Sequence, residues 1–147
     1  MNEKALAYWE EYWRGAEMPG SVDAGMFGDT PNELAELVIA GVKTATCSGF
    51  IFYELDNVPL PKTDDYFIIM NSEEYPVAII KTVEVSLIPM DKVTEEFAVA
   101  EGDGSYEDWK SIHKIFFTGE LQKVGLEFSE DMILVCERFT LIDIKEK

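Results

Sequence analysis

Gly41-Val42-Lys43-Thr44-Ala45-Thr46 joins a helix to a strand, and its reading organises the rest of the chain. Just upstream, Thr30-Pro31-Asn32-Glu33 carries the marks of a helix start: a capping hydroxyl, proline at the first helical position and a glutamate three residues on. Leu34, Leu37 and Val38 give that helix a buried face. Gly41 suits the left-handed position that ends it, where a side chain costs energy. Downstream, Thr44 to Phe52 is rich in Thr, Ile and Phe and reads as a strand. The connection therefore carries a lysine and a threonine from a helix end into a strand start.

A second stretch, Phe97-Ala98-Val99-Ala100-Glu101-Gly102-Asp103-Gly104, delivers a carboxylate at the end of another helix. That helix is expected over Met90 to Ala100, after Pro89. Ser105 then caps a further helix, with Asp108 as its third residue. Trp109, Ile112, Ile115 and Phe116 are its expected buried face. Folded together, the two stretches would set an amine, a hydroxyl and a carboxylate around one small cavity.

The remaining elements follow from periodicity. Residues 2–14 read as a helix with Leu6, Trp9 and Trp13 in one stripe and Gly15 as its stop. Residues 15–29 hold four glycines and a proline and read as a loop, which Met26 and Phe27 anchor to the core. Residues 54–65 form a loop and Tyr66 to Met70 a strand. Pro76 to Ile88 alternates in its second half, with Val83, Val85 and Leu87 on one side and Thr82, Glu84 and Ser86 on the other. Met132 to Ile144 is strand again. Strands cluster in the middle and return at the end, unlike a regularly alternating parallel sheet. The expected fold is α+β: a small, mostly antiparallel, partly closed barrel with helices over its openings.

Length and composition bound the function. The 147 residues suggest a single domain spanning 1–147, with about 1–29 as an N-terminal extension. Apolar residues make up 47 % of the chain, enough for a core. No apolar run reaches membrane-span length, and Met1-Asn2-Glu3-Lys4 lacks the layout of a secretion signal. Cys47 and Cys136 imply neither a disulfide framework nor a metal spacing, so no cofactor is expected and a cytoplasmic location is the simple reading. The formal net charge of −17 disfavours long nucleic acid as a partner and leaves a small neutral ligand unpenalised.

The order of these motifs resembles the ASCH domain family. A helix leads to Gly41-x-Lys43-x-x-Thr46 entering a strand. An alternating strand follows, then a helix with Phe97-Ala98-x-x-Glu101-Gly102. The likeness runs from about residue 30 onward, and the segment holding Trp109 and His113 is similar to that of longer bacterial members. It implies a β-barrel related to the RNA-binding PUA domains, with a cavity for a nucleobase-sized ligand or RNA. Some small members hydrolyse N4-acetylcytidine with a lysine, a threonine and a glutamate. By motif position these fall on Lys43, Thr46 and Glu101, with Asp103 close by.

The chemistry asked of such residues can be stated without the family. Amide hydrolysis needs a nucleophile, a proton acceptor and a group that stabilises the oxyanion. A threonine attacks only when a neighbour takes its proton. Thr46 is the expected nucleophile, Lys43 its base, and Glu101 an orienter or proton shuttle. Gly41, Thr44, Ser48, Tyr53, Asp103, Trp109 and His113 are the expected cavity lining, with Ser48 and Tyr53 on one strand. Cys47 reads as a small buried residue. Two other functions fit the same chain. An RNA-binding or RNA-processing module without amidohydrolase activity would cluster Lys43, Lys81, Lys110, Lys114 and Arg138 beside the cavity, although no metal cluster or paired histidines for RNA cleavage are visible in the sequence. A protein-interaction domain would use the acidic surface to steer a basic partner. The oligomeric state is not encoded in any of these signals.

Overall fold

The computed structural model describes residues 1–28 and 30–145. In chain order the elements are α1 (Glu3–Tyr12), β1 (Asp23–Gly25), α2 (Pro31–Ile39), β2 (Ala45–Gly49), α3 (Phe50–Asp56), β3 (Tyr66–Met70) and β4 (Pro76–Pro89). A 3₁₀ turn (Met90–Lys92), α4 (Glu95–Ala100), α5 (Tyr106–Lys123) and β5 (Ile133–Ile144) complete it. The strands form one sheet in the order β1-β3-β4-β5-β2, antiparallel except for the β1–β3 pair. The sheet curls into a half-barrel with helices packed on it, the α+β architecture expected from the motif order.

Two long strands make the spine. β4 and β5 pair over most of their length, and two register shifts interrupt them, at Ile79/Ile80 and at Thr82/Glu84. Each shift adds a residue to one strand and bends the ladder, which curls the sheet. The second shift also overturns the expected alternation. Thr82 is buried, whereas Val83 and Leu87 are 49 % and 50 % exposed. A bulge moves every side chain beyond it to the opposite face.

Other expectations are corrected too. The strand predicted for Thr44 to Phe52 stops at Gly49, and α3 takes Phe50 to Asp56, so Tyr53 is helical and not on Ser48's strand. The loop predicted for 15–29 contains β1, which pairs with β3 from Asp23↔Phe67 to Gly25↔Ile69. Three residues with glycines around them give no period to detect. Phe27 packs against Phe67 and Phe139, but Met26 is exposed. The helix expected over Met90 to Ala100 is split between the 3₁₀ turn and α4. Thr30 makes no side-chain cap, and Pro31 alone marks the α2 start. In α1 the buried residues are Ala5, Tyr8 and Trp9, with Leu6 exposed.

The largest correction concerns α5. Its capping box is present as expected, with Ser105 and Asp108 each bonding the other's backbone N–H. The buried stripe, however, is Trp109, His113, Phe117 and Leu121, while Ile112 and Ile115 are exposed, Ile115 by 75 %. A strict four-residue spacing that includes a histidine is buried in place of the more apolar neighbours. Burial of the polar ring is compensated by hydrogen bonding, which directs attention to the groups it meets.

Candidate active site

Lys43 enters the site because α2 ends sharply. Gly41 has φ +79°, and the N–H groups of Val42 and Lys43 both donate to the Leu37 carbonyl, at 2.9 and 3.0 Å. The Thr44 N–H then donates to the Ala100 carbonyl at 2.7 Å, tying the turn to the end of α4. Gly102, with φ +86°, completes the close approach: a Cβ there would lie 3.4 Å from the Lys43 Cβ and 3.5 Å from Leu37 Cδ1. Lys43 is thus pressed inward and is 4 % exposed.

Its ammonium faces three acceptors. Nζ donates to the Ala45 carbonyl at 2.7 Å and to the Glu101 carbonyl at 3.2 Å, and lies 3.5 Å from Oε1 of Glu101. Each N–H therefore has an oxygen to meet. Glu101, at the end of α4, is 2 % exposed. Its other oxygen, Oε2, accepts the Trp109 indole N–H at 2.6 Å and faces Nε2 of His113 at 3.6 Å. Burial pushes the Glu101 carboxyl up. The His113 imidazole, the Lys43 ammonium and the Trp109 N–H outweigh it and hold the group below its ordinary value.

His113 is fixed by its own helix. Its Nδ1 lies 2.8 Å from the Trp109 carbonyl oxygen, which can only accept, so Nδ1 carries a hydrogen and Nε2 is turned to Glu101. The ring stacks on Trp109 with centroids 4.5 Å apart. Burial pushes the imidazole down, and the Glu101 carboxylate pulls it up further, leaving it above its ordinary value. Asp103 adds a carboxylate 3.9 Å from Nδ1, and partial burial raises that acid's own value.

Lys43, Thr46, Ser48, Tyr53, Glu101, Asp103 and His113 all line one cavity of about 810 Å³. The Ser48 and Tyr53 hydroxyls share a 2.8 Å hydrogen bond on its wall. Three expected lining residues lie elsewhere. Gly41 and Thr44 are exposed and act through the backbone, and Trp109 is fully buried behind Glu101, where no ligand can stack on it. Of the basic residues considered for RNA, only Lys43 lines the cavity. Lys81 pairs with Asp64, Lys110 with Glu107, and Arg138 with Glu84 and Glu96.

Cys47 and Glu137 are among the wall residues that sequence reasoning missed. Cys47 borders the cavity, and burial together with the Glu101 carboxylate raises its thiol well above the ordinary value, which leaves it a poor nucleophile. Glu137, on β5 directly across from Thr46, lines the same space. A carboxylate within the mostly apolar strand from Ile133 to Phe139 was the available signal.

Cys47, Glu101 and His113 also bring a sulfur, a carboxylate oxygen and a ring nitrogen within 4.8 Å of one another, a donor set compatible with zinc. The Lys43 ammonium already supplies the carboxylate with a cation, so a divalent ion would meet a positive charge beside its ligand.

Comparison with known proteins agrees with this architecture. A protein from Enterococcus faecalis V583, EF3133, is 37 % identical, with a TM-score of 0.89 over 98 % of this chain and 91 % of that one. An ASCH domain from Lactobacillus crispatus JV V101 is 30 % identical, with a TM-score of 0.90 over 96 % and 95 %. A mutant form of ZmASCH from Zymomonas mobilis shares the fold at 12 % identity and a TM-score of 0.51, over 84 % of this chain and 73 % of that one. No curated protein matches in sequence. Among the described residues no helix is long and apolar enough to cross a membrane. The ASCH family model matches residues 23–143, and the chain belongs to the ASCH domain family.

Proposed function

We propose that this cavity hydrolyses an amide on a nucleobase-sized amine, taking as its first candidate the N4-acyl group of an acylated cytidine. The observation that carries this is the burial of Lys43 and Glu101 as an ion pair on the wall of the cavity that Thr46 lines. Taking two charges out of water costs several kcal/mol per ion, and an apolar pair of the same volume is often as stable. Stability alone is therefore a weak reason for the pair, and its position at a ligand-sized space supplies a stronger one.

In the proposed reaction the Thr46 hydroxyl attacks the amide carbonyl carbon. The vacant proton site of the resting pair is the Glu101 carboxylate, so the threonine proton passes there, directly or through one water. Lys43 keeps its protons and stabilises the charge that develops on the carbonyl oxygen. This exchanges the base role expected for Lys43 from sequence for an electrostatic one. The Glu101 proton then goes to the departing nitrogen, the C–N bond breaks and the free amine leaves. Water hydrolyses the acyl-threonine ester, releasing the carboxylic acid and restoring the hydroxyl. The sum is amide plus water to amine plus acid.

The test is incubation with N4-acetylcytidine and chromatographic detection of cytidine. Lys43→Ala, Thr46→Ala and Glu101→Gln should each lose at least about a hundredfold in turnover, the scale of losing one oxyanion donor or acid–base group. Equal turnover by the parent and all three variants, with folding checked by circular dichroism, removes the proposal.

A further inference from the structure

A second cavity, of about 370 Å³, meets the first at Thr46. Phe27, Thr46, Tyr53 and Glu137 line both spaces, whereas Lys43, Glu101 and His113 belong to the first alone. Thr46 thus stands at a junction, with the cationic machinery on one side only. Resting on the amide-cleaving function proposed above, we infer that the second cavity is the subsite for the amine half of the substrate, and that it takes an uncharged nucleoside or base and rejects a phosphorylated one.

The assignment of halves follows from the position of the charge. The nucleophile must sit at the carbonyl carbon, and the carbonyl oxygen must turn toward Lys43. The nitrogen and everything attached to it then project away from Lys43, past Thr46. The space found there suits a flat ring. Tyr66, Phe67 and Phe139 wall it together with Phe27, whose ring stacks with Phe67 at 5.8 Å and with Phe139 at 6.1 Å. Its volume lies near the lower end of the roughly 300–1,000 Å³ typical of small-molecule sites, which suits one nucleoside and not an oligonucleotide.

The charges decide the class. Among the described residues, Asp23, Asp65 and Glu137 line the second cavity against the single cation Lys62. Asp65 is close enough to Glu137 to push that carboxyl further up beyond the effect of burial. The carboxylates offer acceptors for ribose hydroxyls and for the exocyclic amine that deacylation frees. A phosphate would add negative charge to a cavity already in excess of it, in a chain of net charge −17. Lys81, which borders this region at Tyr66, is held by Asp64 and does not offset the excess.

The experiment measures cytidine and cytidine 5′-monophosphate binding to the whole protein by NMR titration, alongside deacetylation of N4-acetylcytidine and its 5′-monophosphate. Cytidine should shift Tyr66, Phe67 and Thr82 resonances, and the monophosphate should bind roughly tenfold or more weakly at low salt, on the scale of close like-charge repulsion. The Asp23→Asn, Asp65→Asn double variant, or added salt, should narrow that gap. Cytidine shifts confined to residues outside the second cavity, or no cytidine binding, overturn the subsite, and equal binding of the two ligands overturns the selectivity. Cytidine bound at these residues without deacetylation of either acetylated compound supports the subsite and removes the amide reaction instead. Equal cleavage of both acetylated compounds keeps the reaction and overturns the selectivity.

Discussion

Nε2 of His113 stands 3.6 Å from Oε2 of Glu101, while Nδ1 of the same ring is committed to the Trp109 carbonyl at 2.8 Å. A neutral ring with its hydrogen on Nδ1 would turn a lone pair on the carboxylate. The imidazolium turns an N–H on it. The geometry therefore favours a charged ring beside a charged acid, both buried, with Lys43 on the far oxygen.

A pH signature follows for His113→Gln. The folded-state value of His113 is raised, so its stabilising contribution is full below the ordinary histidine value and disappears as pH rises through the folded one. Glu101 is lowered, so its contribution persists above the ordinary carboxylate range and fails on strong acidification. The melting-temperature gap between parent and variant should be widest in mildly acidic solution and narrow toward alkaline pH. Thermal melts across that range check it, and a flat gap would sink the imidazolium–carboxylate pair.

Trp109→Phe removes the N–H that Oε2 of Glu101 accepts at 2.6 Å, together with part of a fully buried ring. A hydrogen bond to a charged group contributes about 1.5–3 kcal/mol, and the space left in the core adds to it, so chemical denaturation should show a loss of at least that size. Glu101 should also titrate at higher pH than in the parent, shifting the acid limb of any pH–rate profile upward. A stability loss with an unchanged acid limb would mean the indole only fills space.

Glu137 is expected to be costly to the fold. Burial raises its carboxyl, the Thr82 hydroxyl lies at a long 3.4 Å, and Asp65 repels it. A carboxyl whose folded value is raised destabilises above that value and is neutral below the unfolded one. Glu137→Gln should therefore raise the melting temperature at neutral pH, with the gain closing as pH falls. A lower melting temperature for the variant at neutral pH contradicts this balance.

Gly41 tests the turn that aims Lys43. An added Cβ meets no atom within 4 Å, so the cost of Gly41→Ala is the left-handed backbone alone, at φ +79°. That amounts to about 1 kcal/mol, or roughly 2–4 °C in melting temperature for a domain of this size. A neutral substitution would show that the turn relaxes without penalty.

The sequence by itself determined the features that arise within a few residues. Pro31 and Gly41 bound α2, Ser105 and Asp108 cap α5, and the motif order identifies the half-barrel, because capping, φ preference and periodicity are local. The turn at Gly102 that lets α4 press on Lys43 was marked only by its glycine. What the tertiary structure decided was everything set by partners distant in the chain. The bulge at Thr82/Glu84 reversed the faces of β4, and packing on Glu101 chose His113 over Ile112 for the buried stripe of α5. It also turned Trp109 from a surface for ligands into the support of a carboxylate, and placed Thr46 opposite Glu137 between two cavities. Those outcomes depend on which buried polar groups find each other when the sheet closes, and a hydrogen-bonded cluster spanning β2, α4 and α5 leaves no period in the sequence.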